Sequence, residues 1–359
     1  MASVEIIGTG SYLPGEPISN ERLASVFGRE VIWLSEMLGS QTRHFALDLD
    51  RLELREGESN TNMATQAARQ AISDASIDPK TIDLIVMSTS TPDYPFPATA
   101  LFVQEQLGLP DCCVMELRSG CAGMAQAFLI ATHLIRAGAS RNALLIGSDL
   151  ISPFVGLFRN KADQLAKAYL VSIAMFGDGA GAVVLSAGVS GGGVLDCMSR
   201  SMSPGLAPGM ILRAGGALAP PGSYQFKEGE VANTYEHDFN RIMKHGPDLI
   251  KAAKKWLTHE RGYSLSDVDF FVPPQVNARL INVVATQMGA PSAKVYSNFG
   301  SVGNTVSASI YIALDQMNKE GSLKPNDLLV LLPAEATKWI YGAIVVRWTK
   351  GAPGDGRKP

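Results

Sequence analysis

An α/β fold made of two similar halves is predicted by this 359-residue sequence, and two observations carry the prediction. First, short apolar runs of strand length alternate along the chain with longer stretches of helical character, the pattern of a sheet covered by helices. In order, strands are expected at 4–8, 84–88, 113–117, 143–147, 182–186, 270–272, 328–332 and 343–348. Helices are expected at 61–75, 98–107, 122–137, 247–258, 278–288 and 306–320. Second, a weak internal repeat runs through the chain. The segment from Ala75 to Asp83 and its following strand resembles Gly262 to Asp269, with the two aspartates 186 residues apart. The run at Asn142 resembles that at Asn326, 184 residues later, and the helix after Cys121 corresponds to the helix after Asn304, 183 residues later. Nearly constant spacing over three elements implies a duplicated unit with pseudo-twofold symmetry, divided near the glycines at 188–194. Cys121 and Asn304 would then face each other across the pseudo-axis, each at a helix start.

Composition narrows the function. The chain is 46% hydrophobic and 18% charged with a formal net charge of −3, which argues against binding to nucleic acid or to an anionic membrane as its main activity. Its four cysteines (Cys112, Cys113, Cys121, Cys197) show neither CxxC spacing nor a histidine cluster, so neither a metal site nor a disulfide framework is expected. No signal peptide or transmembrane run is apparent, and a cytoplasmic location is the expectation. The tail at 351–359 reads as disordered.

Cys121 carries the chemistry. It stands in Glu116-Leu117-Arg118-Ser119-Gly120-Cys121-Ala122-Gly123-Met124, where a strand turns sharply into a helix. Backbone N–H groups at a helix start favour a thiolate, and such a thiolate is suited to holding an acyl group as a thioester. Phe176-Gly177-Asp178-Gly179-Ala180-Gly181 is glycine-rich but leads into a strand, not a helix, so it is not a dinucleotide loop. Its glycines are expected to permit close backbone packing beneath the site.

Beyond these features the chain resembles the ketoacyl-ACP synthase III group of thiolase-fold condensing enzymes from about residue 4 to residue 348. The motifs that carry the likeness begin with Gly39-Ser-Gln-Thr-Arg-His44, Thr91-Pro-Asp-Tyr-Pro-Phe96 and Gly120-Cys121-Ala-Gly-Met. Phe176-Gly-Asp-Gly-Ala-Gly, Phe271-Val-Pro-Pro274-Gln-Val-Asn and Gly303-Asn304-Thr-Val-Ser follow in the same order as in that group. The resemblance implies a thiolase fold, two βαβαβαββ halves in five αβαβα layers. Residues 1–188 would carry the cysteine and 189–350 the asparagine. It further implies acyl-CoA or a phosphopantetheine-bearing acyl carrier protein as substrate, no permanently bound cofactor, no metal, and a homodimer or a heterodimer with a homologous chain.

It also implies a Cys–His–Asn triad, and here the chain departs. Cys121 and Asn304 match, but the histidine position of Val-Pro-His-Gln-x-Asn is Pro274. In the group, histidine and asparagine stabilise the enolate formed on malonyl decarboxylation. Losing one such donor costs about 10² to 10³ in rate, and proline has neither a side-chain donor nor an N–H. A second departure is the segment Pro333-Ala334-Glu335-Ala336-Thr337-Lys338-Trp339, which replaces a glycine-rich oxyanion loop. Its Ala336 N–H is the remaining oxyanion candidate, and Glu335 with Lys338 is expected to form a surface ion pair.

Further residues follow from the resemblance. Phe96 would wall the acyl pocket of a partner subunit, Met124 would line the acyl pocket, and Trp33 and Arg43 would contact CoA. His237 is the first candidate for a relocated base, weighed against a surface histidine on a polar helix face. His245 is expected at a helix end, and His44, His133 and His259 in structural roles. Loops at 160–167 and 213–225 would shape the tunnel. The expected function is an acyltransferase that takes an acyl group onto Cys121 and passes it to a second substrate in specialised-metabolite biosynthesis, polyketide or fatty-acid-derived. The alternatives are a C–C bond-forming ketosynthase with an altered triad and a non-catalytic partner subunit.

Overall fold

The buried apolar runs form one mixed sheet. The structure, a computed structural model, describes residues 3–156, 167–188, 191–213, 215–218, 220 and 235–351. In chain order come β1 (Ser3–Tyr12), β2 (Ile18–Ser19), α1 (Asn20–Phe27), α2 (Glu30–Leu38), β3 (Thr42–Arg43), α3 (Asn60–Ala75), β4 (Leu84–Ser88), α4 (Thr99–Leu107) and β5 (Cys113–Leu117). They are followed by α5 (Gly123–Arg136), β6 (Asn142–Asp149), α6 (Ser152–Gly156), α7 (Lys167–Met175), β7 (Gly179–Gly188), β8 (Gly193–Ser201), β9 (Met210–Leu212) and β10 (Tyr235–His237). The chain ends with α8 (Phe239–Lys255), β11 (Phe270–Val272), α9 (Leu280–Met288), α10 (Phe299–Val302), α11 (Ser309–Lys319), β12 (Leu328–Leu331), β13 (Ala334–Glu335) and β14 (Ile340–Arg347).

Sheet order is β11-β12-β14-β8-β1-β7-β6-β4-β5, with β13 paired to β14. From one end β5, β4 and β6 run parallel, β7 is antiparallel to β6, and β1 is antiparallel to β7. From the other end β11 and β12 run parallel, β14 is antiparallel to β12, and β8 is antiparallel to β14. Even the place of β5 has a counterpart, because Val295 bridges Phe271 of β11 in parallel. The two series meet at one parallel pair, Val4 with Gly193. Gly193 has φ +85°, and a Cβ there would lie 2.1 Å from the Val4 carbonyl oxygen, so only glycine allows this approach.

Five layers result. Helices α5 and α11 form the middle layer, where Phe128 and Tyr311 pack with Val86 and Val183 on one side and Leu329 and Ile344 on the other. Helix α3 covers the outer face of the first strand series through Ala64, Ala68 and Ala71. Helices α8 and α9 cover the second through Leu249, Ile250 and Val284. Duplicated segments of the sequence thus occupy equivalent places: β4 and β11, β6 and β12, α5 and α11.

One helix differs from expectation. Helix α8 begins at Phe239, not at Pro247, because Asp238 caps it by accepting the Arg241 N–H at 2.8 Å. Pro247 therefore lies inside the helix. Its carbonyl accepts from the Gln287 amide at 3.2 Å, which ties the bend to α9. His245 consequently sits within α8, its ring 5.5 Å from that of Trp339, and not at a helix end.

Candidate active site

Two equivalent turns bring the chemistry together. From β5 the chain enters a single 3₁₀ turn, Gly120–Ala122, that opens into α5. Gly120 takes φ +49°, and Gly123 presses so closely on β4 that a Cβ there would meet Ser88 Oγ at 1.9 Å. Its counterpart is the 3₁₀ turn Val306–Ala308, which opens into α11 just after Asn304. These turns pack against each other, which places Cys121 and Asn304 on facing helix starts.

Asn304 is almost fully buried and rigidly held. Its N–H donates to Met175 O at 2.9 Å and its carbonyl accepts from Gly177 N at 3.0 Å, and a Cβ at Gly177 would meet Val302 O at 2.8 Å, which accounts for the glycine after Phe176. Its side-chain Oδ1 accepts from Val306 N at 2.9 Å and from Ser309 Oγ at 3.2 Å. Nδ2 has no acceptor among the described residues. Asp178, from the same loop, is fully buried and accepts from the N–H groups of Ala46, Ile151 and Ser152 at 2.7–2.8 Å. Burial raises its pKa to about 6.

Asp149, at the end of β6, joins the segment after β4 to the Val306–Ala308 turn, and the sequence reading missed it. Its Oδ1 accepts from Ser90 N at 2.7 Å and Thr91 Oγ1 at 2.9 Å. Its Oδ2 accepts from Ser307 N at 3.0 Å and Ser307 Oγ at 2.5 Å, next to Asn304. The signal was an acidic residue closing an apolar strand that is buried along its whole length. Burial raises the pKa of this carboxyl, against the pull of its hydrogen bonds.

Cys121 itself overturns one expectation. The helix start was expected to lower its pKa, yet the thiol is pushed far above the ordinary cysteine range. Burial is the main cause, followed by the charges of Glu335 and Asp149, and only the residue's own N–H works the other way.

Glu335 is the second correction. It is no surface residue and forms no ion pair with Lys338. Its carboxylate is buried and gathers the N–H groups of Thr337 (2.7 Å), Lys338 (3.1 Å) and Ile340 (3.2 Å), together with the Thr337 hydroxyl. Lys338 Nζ reaches instead to Leu206 O at 2.6 Å. This carboxylate takes the place of glycine freedom in folding the turn between β13 and β14, and β13 packs against the turn of Cys121. Ala336 N donates to no acceptor among the described residues.

Other expected residues separate. Pro274 lies buried in the loop after β11, its carbonyl accepting from Val276 N at 3.1 Å. The adjacent Gln275 holds that loop, accepting from Asn298 N at 3.0 Å and Ser297 Oγ at 2.7 Å. His237 is buried on β10 and not on a polar helix face. Its Nδ1 meets Ser172 Oγ at 3.0 Å, and burial lowers its pKa to about 4. Its ring lies 6.5 Å from that of Phe176, whose backbone bridges Asn304.

Arg43 is not a surface contact for CoA. It is fully buried and donates to Asn20 Oδ1 (2.7 Å), Ser40 Oγ (2.6 Å) and Ala174 O (2.9 Å), while burial lowers its pKa to about 10. Trp33 is 57% exposed on α2. Phe96 is 84% exposed, so it is not packed in the core of its own chain. Met124 packs in the central layer with Phe128, whereas Cys121 packs against the cluster of Leu170, Phe176, Phe299 and Val306. The tunnel loop at 160–167 lies outside the described residues except for Lys167; that at 213–225 is described only at 213, 215–218 and 220, and the tail only at 351. Among the described residues no helix is long and apolar enough to cross a membrane, and no group of three or more His, Cys, Asp or Glu could hold a metal ion.

A five-layered thiolase fold with cysteine and asparagine on facing helix starts defines the class of condensing and acyl-transfer enzymes. Residues 115–202 match the family model for 3-oxoacyl-[acyl-carrier-protein] synthase III, and residues 258–348 match the model for its C-terminal part. The beta-ketoacyl-[acyl-carrier-protein] synthase III of Rhizorhabdus wittichii is 33% identical over 351 residues, covering 97% of this chain and 100% of that one. The chain belongs to the 3-oxoacyl-[acyl-carrier-protein] synthase III family. Among solved structures, AbyA1, a tetronic acid condensing enzyme, aligns with a TM-score of 0.84 at 29% identity over 96% of this chain and all of that one. The synthase III of Pseudomonas aeruginosa aligns with a TM-score of 0.80 at 29% identity over 98% and 100%.

Proposed function

We propose that this chain is a cysteine acyltransferase that loads an acyl group from acyl-CoA or an acyl carrier protein onto Cys121 and passes it to an acceptor needing no malonyl decarboxylation. The observation that carries the reading is Pro274. The loop after β11 presents a buried proline, with no donor, where the family pattern has histidine, while Cys121 and Asn304 keep their facing helix starts. Loading exchanges one thioester for another: the acyl carbon leaves the CoA sulfur for the Cys121 sulfur, and the thiol proton moves to the departing CoA. Because the thiolate is the attacking form and the Cys121 pKa is raised, the thiol must give up its proton as the new C–S bond forms. Asn304 Nδ2 and the Ala336 N–H are the donors for the carbonyl oxygen, and His237, neutral near pH 7, is the base for the acceptor.

The halves at 1–188 and 189–350 supply one reacting group each. Exposed Phe96, Tyr94 and Leu101 lie near the edge strand β5, which favours a homodimer through that edge, with Phe96 reaching the partner's pocket. Trp33 is the remaining CoA contact, the setting is a cytoplasmic specialised-metabolite pathway, and no metal or bound cofactor takes part. Likeness to a tetronic acid condensing enzyme favours a second reading, C–C bond formation with an altered triad. The test is to load Cys121 and follow discharge by amines, alcohols, carrier-protein thiols and malonyl carrier protein. Discharge by malonyl carrier protein with loss of CO2 would replace the first reading with the second.

A further inference from the structure

The carboxylates around Cys121 bear on which substrates the site accepts. Glu335 is 3% exposed, and its Oε2 would lie 3.9 Å from a Cβ at Gly120, the residue before the nucleophile. Three backbone N–H groups and one hydroxyl hold that carboxylate. Asp149 is wholly buried and bound by hydroxyls and N–H groups, and burial raises its pKa. Neither carboxylate forms an ion pair among the described residues. The nearby cations are committed elsewhere, Lys338 to the Leu206 carbonyl and Arg43 to Asn20, Ser40 and Ala174. A donor is missing as well, at Pro274. An incoming carboxylate therefore meets the Glu335 carboxylate, which has no ion-pair partner among the described residues.

We propose that Glu335 sets the charge specificity of the Cys121 site, disfavouring substrates with a carboxylate beside the reacting carbonyl and selecting an uncharged acyl group and an amine acceptor. This inference rests on the acyl-enzyme reading above and names its substrate class. Discharge to an ammonium acceptor balances simply. The ammonium gives one proton to water, a C–N bond forms as the C–S bond breaks, and the second proton passes by way of His237 to the Cys121 sulfur.

The test uses two alkylating agents of nearly equal size, neutral iodoacetamide and anionic iodoacetate. Their rates at Cys121 are read by peptide mass spectrometry and compared with their rates on N-acetylcysteine, which cancels the thiolate fraction. The iodoacetamide preference at Cys121 should exceed that of N-acetylcysteine by about tenfold, the effect of an unscreened like charge within several ångströms. Glu335→Gln should remove most of the excess. A wild-type preference equal to that of N-acetylcysteine overturns the proposal, as does an unchanged preference in a folded Glu335→Gln protein. If that variant fails to fold, the wild-type comparison decides alone. In a parallel arm, butyryl-CoA should label Cys121 at least about tenfold faster than malonyl-CoA. Failure of both acyl-CoAs to label it, with the alkylation preference intact, sinks the acyl-enzyme reading and leaves the charge reading standing.

Discussion

Gly123→Ala tests whether close packing of α5 on β4 is what positions the nucleophile. Gly123 has φ −57° and ψ −34°, a helical conformation that alanine adopts freely, so any effect comes from contact and not from the backbone. The new Cβ would lie 1.9 Å from Ser88 Oγ and 2.5 Å from Ser88 Cβ. Non-bonded carbons rest about 3.5–4 Å apart, which leaves a shortfall of roughly 1 to 1.5 Å against the Ser88 Cβ. The hydroxyl can rotate but the Cβ cannot, because Ser88 is paired with Leu117 of β5 and Gly147 of β6. Helix α5 must therefore lift at its first residue and carry Cys121, two positions earlier, with it. Overpacking of this kind costs about 1–3 kcal/mol, and a displacement near 1 Å costs about 10²-fold in a positioned reaction. Urea denaturation and the rate of Cys121 acylation, read by intact mass, should show both losses. Ser88→Gly in the same chain should restore acylation, since the Ser88 hydroxyl has no hydrogen-bond partner to lose. Acylation by Gly123→Ala at the wild-type rate would refute the reasoning.

Three further outcomes are expected. Pro274→His should raise malonyl decarboxylation by about 10² to 10³, measured as CO2 release from carboxyl-labelled malonyl carrier protein; no rise in a folded variant removes the explanation based on the missing donor. His237 has its pKa lowered from 6.5 to about 4, so it is neutral in both folded and unfolded chains above about pH 7. As pH falls through that window the unfolded chain takes up a proton that the folded chain refuses, and about 3 kcal/mol of stability is lost. Asp178 works in the opposite sense between 3.8 and about 6, so the measurement is the difference between wild type and His237→Gln over pH 4 to 7; a flat difference contradicts the burial of the ring. Arg43→Met should destabilise the fold by about 2 kcal/mol, because the Ala174 carbonyl and the Asn20 amide lose their partner. An unchanged denaturation midpoint in urea would show that the guanidinium bonds contribute nothing.

Much of the fold was legible because its strands are short apolar runs with clear ends, and because the duplicated segments kept their spacing. Strands β4, β5 and β11 occupy the predicted residues, and α3, α5 and α11 begin or end within a few residues of them. Helix α7 was not legible: Tyr169 to Phe176 is buried on every side, so it shows no helical periodicity. In α8 the cap, Asp238, stood in an uninformative polar stretch, while Pro247 looked like a first-turn proline. At the site, Cys121 and Asn304 were readable because each follows a glycine turn into a helix. Charge was not readable. Glu335, Asp149 and Arg43 look like surface residues in a sequence, and only the tertiary fold shows that the first two are held by backbone N–H and hydroxyl groups and the third by carbonyl, amide and hydroxyl oxygens. Thiol acidity failed for the same reason, since burial and two carboxylates from distant segments outweigh the helix start.

The measurement that tests the central claim most directly is intact-protein mass spectrometry after incubation with a panel of acyl-CoAs, with Cys121→Ala alongside. The account predicts a single acyl adduct on the wild-type chain, absent from Cys121→Ala, that an amine discharges and malonyl carrier protein does not. No adduct with any acyl-CoA or acyl carrier protein, or an adduct that persists in Cys121→Ala, would contradict it.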